Sequence, residues 1–410
     1  MKIQKKKILL CVRRSSAEVD FILPLLFKLS FKYDLITIFD NLQAYNSLKD
    51  NKEIFLQWKQ INNLFYIREK KNNFFYKLLY KTISTNIVRN IFKKIINKFE
   101  NKLQLKINQN ILGLRKFNYN NIALFFLTDS NYSSLPLFFK YKNSKIKIIR
   151  FPESVWLVSN KTIEKQEIDL RLIADKYLVP TKKNLFLFGK KANIKIMKKI
   201  IFTGYFKYQK WWVDKISQYT KIENSNFKIL VATRPFGKKR FQGDFTKESY
   251  EYLVKSIMEI SSKIKNSLVI FKIHPKNLNT EKFFLLKILS NYKKNWIIKK
   301  NHIFKLAKIS NACISLQSSA CLDMLAVQKG VVEFWLNSTD YRYLIPLKMK
   351  NVSVFENEGL ILNINSKKEL EKVIFRILNK EKLFKNKIKN FNKINKNYIS
   401  YKKLNKLLLN

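Results

Sequence analysis

The sequence predicts an α/β protein built as two successive units, each a parallel sheet with helices on its faces. Three observations carry this. Strand-type and helix-type runs alternate along most of the chain, the pattern of β-α-β units rather than of hairpins. The alternation pauses near 205–225 and then starts afresh. The 410 residues, 46% of them apolar, offer enough apolar mass for two cores, and a single core stops growing near ~250–300 residues.

The elements follow in order. "KKILLCV" (6–12) reads as a buried strand. Ser15 and Glu18 form a capping-box pair that opens a helix through about Lys32, bent at Pro24. "YDLITIFDN" (33–41) is the next strand and completes a β-α-β start. Residues 54–117 read as a basic, aromatic helical insertion. Within it Ile87, Val88, Ile91, Phe92, Ile95, Ile96 and Phe99 fall on one face, and Lys93, Lys94 and Asn97 on the other. Strand signals return at 121–130, 145–154 and 175–181, and "KKIIFTGYFKYQKWW" (198–212) gives a strand, a glycine turn and an aromatic passage.

The second unit opens with "FKILVATRPFGKKR" (227–240), a strand running into a basic loop, and a helix over about 246–265. "SLVIFKIHP" (267–275) is a strand, followed by a helix near 280–291, a strand at 295–300 and a short helix over Phe304–Ile309. "ACISLQSSACLDMLAVQKG" (312–330) reads as strand, turn and helix, "VVEFW" (331–335) as a strand, and 366–383 as an amphipathic helix. The expected organisation is two Rossmann-like domains facing a cleft. The first is an acceptor-side domain over 1–205, the second a donor-side domain over 206–380, and 381–410 is a basic helical tail.

The charge is large: 81 Lys+Arg against 29 Asp+Glu, formally +52. A basic surface attracts nucleic acid, anionic lipid or phosphorylated substrates. The composition offers a competing account. Richness in Lys, Asn, Ile, Phe and Tyr, with only seven glycines, is the drift of an A+T-biased genome, and it covers most of these lysines. No RNA-binding aromatic signature, zinc finger or arginine-rich arm is present, which disfavours nucleic acid. No apolar run approaches the ~18–20 residues of a membrane span. Ile8–Val12 is too short for a signal peptide. Three scattered cysteines fit neither a disulfide framework nor a zinc pattern. The expected setting is the reduced cytoplasm, peripheral to the inner membrane face where the basic stretch 87–99 docks on anionic lipid; packing of its apolar face on the first domain is the competing role.

In open α/β sheets, ligands bind beyond the carboxyl ends of the strands. In the second unit those ends hold Thr233–Arg240, His274-Pro275 and Gln317-Ser318-Ser319. Ser318 and Ser319 stand where a strand becomes a helix, a position suited to an anion and equally to plain capping. Asp323 follows about one turn on, able to accept from a ribose or sugar hydroxyl. Pro275 holds His274 out of helical conformation, so its imidazole can enter the cleft; a structural histidine is the plainer account. His302 has no motif around it and reads as structural. Arg234, Lys238, Lys239 and Arg240 around Gly237 could clamp a diphosphate. In the first unit Glu153 is the candidate base and Asp129 the neighbouring strand-end carboxylate; either could instead cap a helix or pair with a lysine.

The exclusions are chemical. Without G-x-G-x-x-G or a Walker A loop, ordinary dinucleotide and P-loop sites are disfavoured. Without D-x-D, a metal-dependent sugar-nucleotide site of that kind has no ligands, and two histidines with three scattered cysteines give no zinc centre. No metal and no cofactor are expected.

"FKILVATRPFGKKR", "LVIFKIHP" and "ISNACISLQSSACLDMLAVQKGVVEFW" together resemble, in order and spacing, the C-terminal half of GT-B glycosyltransferases of bacterial surface polysaccharide assembly. The likeness is to the subgroup with an HP motif and a later serine pair, which includes capsule polysialyltransferases and CDP-glycerol glycerophosphotransferases; it covers about 198–335. It implies a GT-B fold and a metal-independent transferase of the inverting type. It implies that His274 and Ser318–Ser319 hold the phosphates of a nucleotide-sugar donor, and that a base from the first domain serves a glycan or lipid-linked acceptor. The glycerophosphotransferases carry a tryptophan and an aspartate–tyrosine where this chain has Arg234-Pro235 and Leu316-Gln317, which sets it apart from glycerol-phosphate transfer. Two alternatives stand beside this reading. One is a sugar-nucleotide 2-epimerase of the same fold, which needs a denser set of cleft carboxylates than the sequence displays. The other is a non-enzymatic basic protein that binds membrane or nucleic acid through 54–117.

Overall fold

The computed structural model describes residues 5–67, 119–128, 135–152, 174–181, 197–218, 227–234, 246–274, 278–293, 295–316, 318–334, 354–396 and 398–409. The run Lys6–Val12 forms β1, and its last five residues are buried. That continuous apolar run suits a strand covered on both faces, as parallel sheets require. β1 pairs in parallel with β2 (Tyr33–Phe39) on one side and β4 (Ile122–Thr128) on the other. With β3 (Asn62–Ile67), β5 (Lys147–Phe151), β6 (Lys176–Val179) and β7 (Ile200–Phe202), the order is β3-β2-β1-β4-β5-β6-β7.

Helix α1 (Ser16–Leu29) crosses from β1 to β2 and carries Pro24 inside it. Ser15 is its N-cap, but the Ser15 side chain makes no capping bond. Glu18 instead accepts the backbone N–H groups of Arg13 (2.9 Å) and Arg14 (2.7 Å), so it ties down the turn that leads into the helix. Two helices, α2 (Leu42–Asp50) and α3 (Lys52–Ile61), lead into β3. The expected helical insertion over 54–117 is therefore corrected at its start, because Asn62–Ile67 is an edge strand; 68–118, including the membrane candidate 87–99, lies outside the described residues. Helix α4 (Leu135–Lys142) precedes β5, and a 3-10 turn (Phe206–Tyr208) with α5 (Lys210–Ile216) forms the passage to the second domain.

The second sheet is again all parallel: β8 (Phe227–Ala232), β9 (Ser267–Lys272), β10 (Trp296–Ile298), β11 (Ala312–Ser315), β12 (Val331–Phe334) and β13 (Leu362–Ile364), in the order β10-β9-β8-β11-β12-β13. Strand order reverses between β8 and β11, where doubly wound sheets take their ligands. The helices are α6 (Lys247–Ser262), α7 (Leu278–Leu289), α8 (Ile303–Lys308), α9 (Ala320–Ala326), α10 (Val354–Asn357) and α11 (Lys367–Leu378).

The chain ends back on the first domain. Helix α12 (Lys385–Asn395) sends Asn395 Nδ2 to the Tyr208 carbonyl at 2.9 Å. Helix α13 (Tyr401–Leu409) packs on α1, and Asn405 accepts from the Tyr33 hydroxyl at 3.2 Å. One apolar cluster runs unbroken from Leu10 and Ile22 through Tyr205, Tyr208 and Trp212 to Phe304, Leu325 and Phe391. The domains are thus joined through a shared core. Among the described residues no helix is long and apolar enough to cross a membrane.

Candidate functional site

The strand-end residues of the second sheet open into one interdomain cavity of about 260 Å³. Its C-terminal wall carries Thr233 from the end of β8, Lys272 and His274 from the end of β9, Lys299 and Lys300 from the end of β10, Lys282 from α7, and Ser318, Ser319 and Asp323 beyond β11. Its N-terminal wall carries Ser16, Asp20 and Phe21 from α1 and Ser47, Asp50 and Asn51 around α2, with Lys207 and Tyr208 from the passage.

The floor is a buried ionic cluster. Lys207 Nζ lies 2.7 Å from Asp20 Oδ2 and 2.8 Å from Asp323 Oδ1, so one ammonium joins the two domains. His302 Nε2 lies 3.0 Å from the same Asp20 oxygen, and its Nδ1 accepts the Phe304 N–H at 3.2 Å. That second bond fixes the tautomer: Nδ1 is the acceptor, so Nε2 carries the proton and donates to Asp20. Burial alone would raise the Asp20 pKa, but Lys207 and His302 together hold its carboxyl well below the usual range. Asp323 moves the other way: burial, reinforced by the Asp20 charge, outweighs Lys207 and raises it. Burial likewise pushes Lys272 down to about 8, against the pull of Glu53 and Asp20. The Lys272 ammonium donates to the Lys300 carbonyl at 2.8 Å.

A second contact set closes the cleft. Glu53 at the start of α3 accepts from Asn301 Nδ2 (2.8 Å) and the His302 N–H (3.1 Å), and lies 3.5 Å from Lys305 Nζ.

Of the residues singled out from sequence, His274, Ser318, Ser319 and Asp323 meet at this cavity. Ser318 Oγ also accepts the Ala320 N–H at 3.3 Å, and Ser319 at the N-cap of α9 makes no side-chain capping bond. Arg234 is buried beside Thr233 and is not among the lining residues. Asp129, Glu153, Gly237, Lys238, Lys239 and Pro275 lie outside the described residues. Sequence reasoning missed Asp20, Asp50, Lys207, Lys272, Lys299 and Lys300. One signal was present for Asp20: it stands four residues after Ser16 on a mostly apolar helix, so the two share a polar face.

Two parallel-sheet α/β domains over a cleft, closed by terminal helices, define a GT-B-like fold. Solved structures support that class. The chain is similar to a UDP-GlcNAc 2-epimerase from Neisseria meningitidis bound to UDP-GlcNAc, at 12% identity and TM-score 0.57, covering 98% of this chain and 99% of that one. It is also similar to a UDP-GlcNAc 2-epimerase from Methanocaldococcus jannaschii in complex with UDP-GlcNAc and UDP, at 18% identity and TM-score 0.52, covering 94% and 98%. The glycotransferase of kitacinnamycin matches at 9% identity and TM-score 0.53, covering 96% and 95%. At these identities the likeness is one of fold. No protein-family model and no curated protein matches the sequence.

Proposed function

We propose that the chain is a metal-independent glycosyltransferase that moves a sugar from a nucleotide-activated donor to a surface-polysaccharide or lipid-linked glycan acceptor. One observation carries this reading: His274, Ser318 and Ser319 line a single cavity at the strand ends flanking the switch point, together with Lys272, Lys282, Lys299 and Lys300. Ammonium groups, an imidazole and hydroxyls on one wall suit two phosphates. In transfer the C1–O bond to the diphosphate breaks and its electron pair leaves on a phosphate oxygen. Cations already placed there stabilise the developing charge without reorganisation. The acceptor hydroxyl forms the new bond to C1 and gives its proton to a base. Asp20 is ill suited to that role, because Lys207 and His302 keep it a weak base. Glu153 remains the candidate, with Asp129 second. A lipid-linked acceptor would bring the enzyme to an anionic membrane surface, for which the basic stretch 87–99 is suited.

Calorimetric titration with UDP and CDP tests the donor site. The wild type is expected to bind one of them, and His274→Ala to weaken that binding about tenfold or more, the loss of a hydrogen bond to a charged group. Its melting temperature should hardly change, since His274 is only partly buried. Absence of binding by both nucleotides, or unaltered binding by the variant, overturns the reading.

A sugar-nucleotide 2-epimerase is the second reading, and a specific observation favours it. The structure gathers Asp20, Asp50 and Asp323 at the cavity, the carboxylates that the sequence did not display together. Asp20 and Asp323 share Lys207 yet are pushed in opposite directions, so of the two it is Asp323 that is the better suited to carry a proton. Incubation with UDP-GlcNAc in D2O separates the two. Deuterium at sugar C2 supports epimerisation, whereas acceptor-dependent UDP release without deuterium supports transfer.

A further inference from the structure

Glu281 has no part in the chemistry above, yet it is 1% exposed and carries a carboxyl that the described residues surround with neutral donors. Thr233 Oγ1–H donates to it, the Tyr250 hydroxyl donates at 3.2 Å, and the backbone N–H of His274 donates as well. Burying a carboxyl without a cation is costly, so its worth lies in what it holds. Thr233 ends β8, His274 ends β9, and both line the cavity, whereas Glu281 stands behind them in the first turn of α7. We propose that Glu281 is a positioning residue that clamps the carboxyl ends of β8 and β9 together, fixing where Thr233 and His274 meet the ligand.

The clamp accommodates either protonation state. Ionised, Glu281 accepts from all three donors. Protonated, it donates to Thr233 Oγ1, and the Thr233 hydroxyl turns to the Lys272 carbonyl, 3.3 Å away. Burial, opposed by Thr233, Tyr250 and His274, raises Glu281 to about 7, so both states are populated near neutrality. The charged groups on the packed elements are Lys228 on β8 and Arg234 after it, Lys247, Glu248, Glu251, Lys255 and Glu259 on α6, Lys272 at the end of β9, and Lys282 and Lys287 on α7, with the His274 imidazole beyond β9.

The chain has two histidines, so 15N-histidine labelling gives two backbone amide signals, which His274→Ala assigns. Both amides donate to carboxylates. His302 N–H meets Glu53, whose pKa is lowered by Asn301 and His302 despite burial, and His274 N–H meets Glu281. Between pH 5 and 9 the His274 amide should show a step with a midpoint near 7 that Glu281→Gln removes, while any step that persists in the variant comes from neighbouring groups such as Lys272. A flat His274 amide in the wild type, or an unchanged titration in Glu281→Gln, overturns the clamp.

The ligand arm rests on the nucleotide-binding reading and uses UDP and CDP. Glu281→Leu should weaken binding about tenfold, and Glu281→Leu with His274→Ala should lose less than the sum of the two single losses, the remainder being the share that passes through Thr233. Additive losses, or normal binding by a folded Glu281→Leu, overturn the positioning role. If Glu281→Leu does not fold, the amide titration of Glu281→Gln decides. If the wild type binds neither nucleotide while the His274 amide titrates as expected, the nucleotide reading fails and the clamp stands.

Discussion

Replacing Lys207 by methionine keeps most of the side-chain volume and removes the one ammonium between two buried carboxylates. The side chains of Lys207, Asp20 and Asp323 are 13%, 7% and 11% exposed, so water compensates little. Each contact, at 2.7–2.8 Å, is worth on the order of 6 kcal/mol of attraction at an effective dielectric of ~20, and desolvation offsets much of it. The relevant measure is the cost of breaking the pair, about 3–5 kcal/mol, because the partners stay buried and uncompensated. Asp20 retains the His302 hydrogen bond, whereas Asp323 loses its cation outright.

The pH dependence has a definite sign. In the wild type the depressed Asp20 pKa contributes stability that is present above about 3.8 and lost as pH falls below it. In Lys207→Met both folded carboxyls rise, so the variant is least stable at high pH and recovers as falling pH protonates them. At pH 8 a deficit of about 3–5 kcal/mol corresponds to a melting point lower by roughly 4–6 °C for a chain of this size, taking about 2.1 cal/mol/K of unfolding entropy per residue. At pH 5 the deficit should shrink by half or more. Adding Asp323→Asn to Lys207→Met should recover about 2 kcal/mol at pH 8. Scanning calorimetry of wild type, single and double variants at both pH values measures all of this. A single variant within ~1 kcal/mol of wild type at pH 8, or a deficit that grows towards pH 5, refutes the reasoning.

Glu281 sets a second pH effect: its folded pKa, raised from 4.5 to about 7, gives stability that is fully present below 4.5 and lost as pH rises through 7. The loss amounts to roughly 3 kcal/mol, and Glu281→Gln should remove that slope in melting runs between pH 5 and 8. Gly330→Ala places a Cβ 1.9 Å from Phe384 Cγ and 2.4 Å from Phe384 Cβ, and no rotamer change moves the latter, so it should destabilise by about 1–3 kcal/mol in denaturant unfolding.

The central strands were legible because strands covered on both faces must be apolar throughout. β1, β4, β8 and β9 announce themselves as unbroken runs, each bounded by polar or turn residues. β3 was not legible. "NNLFYI" is a half-exposed edge strand in an aromatic, basic stretch, where neither period dominates. The C-terminal wall of the site could be anticipated, since strand ends of an open α/β sheet point to it without knowledge of tertiary contacts. Of the floor only Asp323 was marked, by its place one turn past the serine pair. Asp20 and Lys207 come from a helix of the first domain and from the passage, and in a chain with 81 basic residues nothing local marks Lys207 or Lys272. Glu281 reads in sequence as one more charged residue in the first turn of a helix, the commonest place for an acid. Only its burial against Thr233 and Tyr250 sets it apart.

The polar contacts across the cleft differ in what they can hold. Asp50 and Lys300 face each other at 3.4 Å with side chains 46% and 63% exposed, a pair worth ~0–1 kcal/mol in water. Glu53 makes three contacts with the second domain at intermediate burial. The Lys207 cluster is the deepest, and it sits on the 3-10 turn that follows the last strand of the first sheet. The same ammonium therefore sets the floor of the cavity and the register of one domain on the other. A movement that widened the rim at Asp50–Lys300 would cost little. One that parted Asp20 from His302 would strand a buried carboxylate and an imidazole N–H. Lys207, Asp20 and His302 are thus the costliest of these contacts to break, and the Asp50–Lys300 pair at the rim the cheapest.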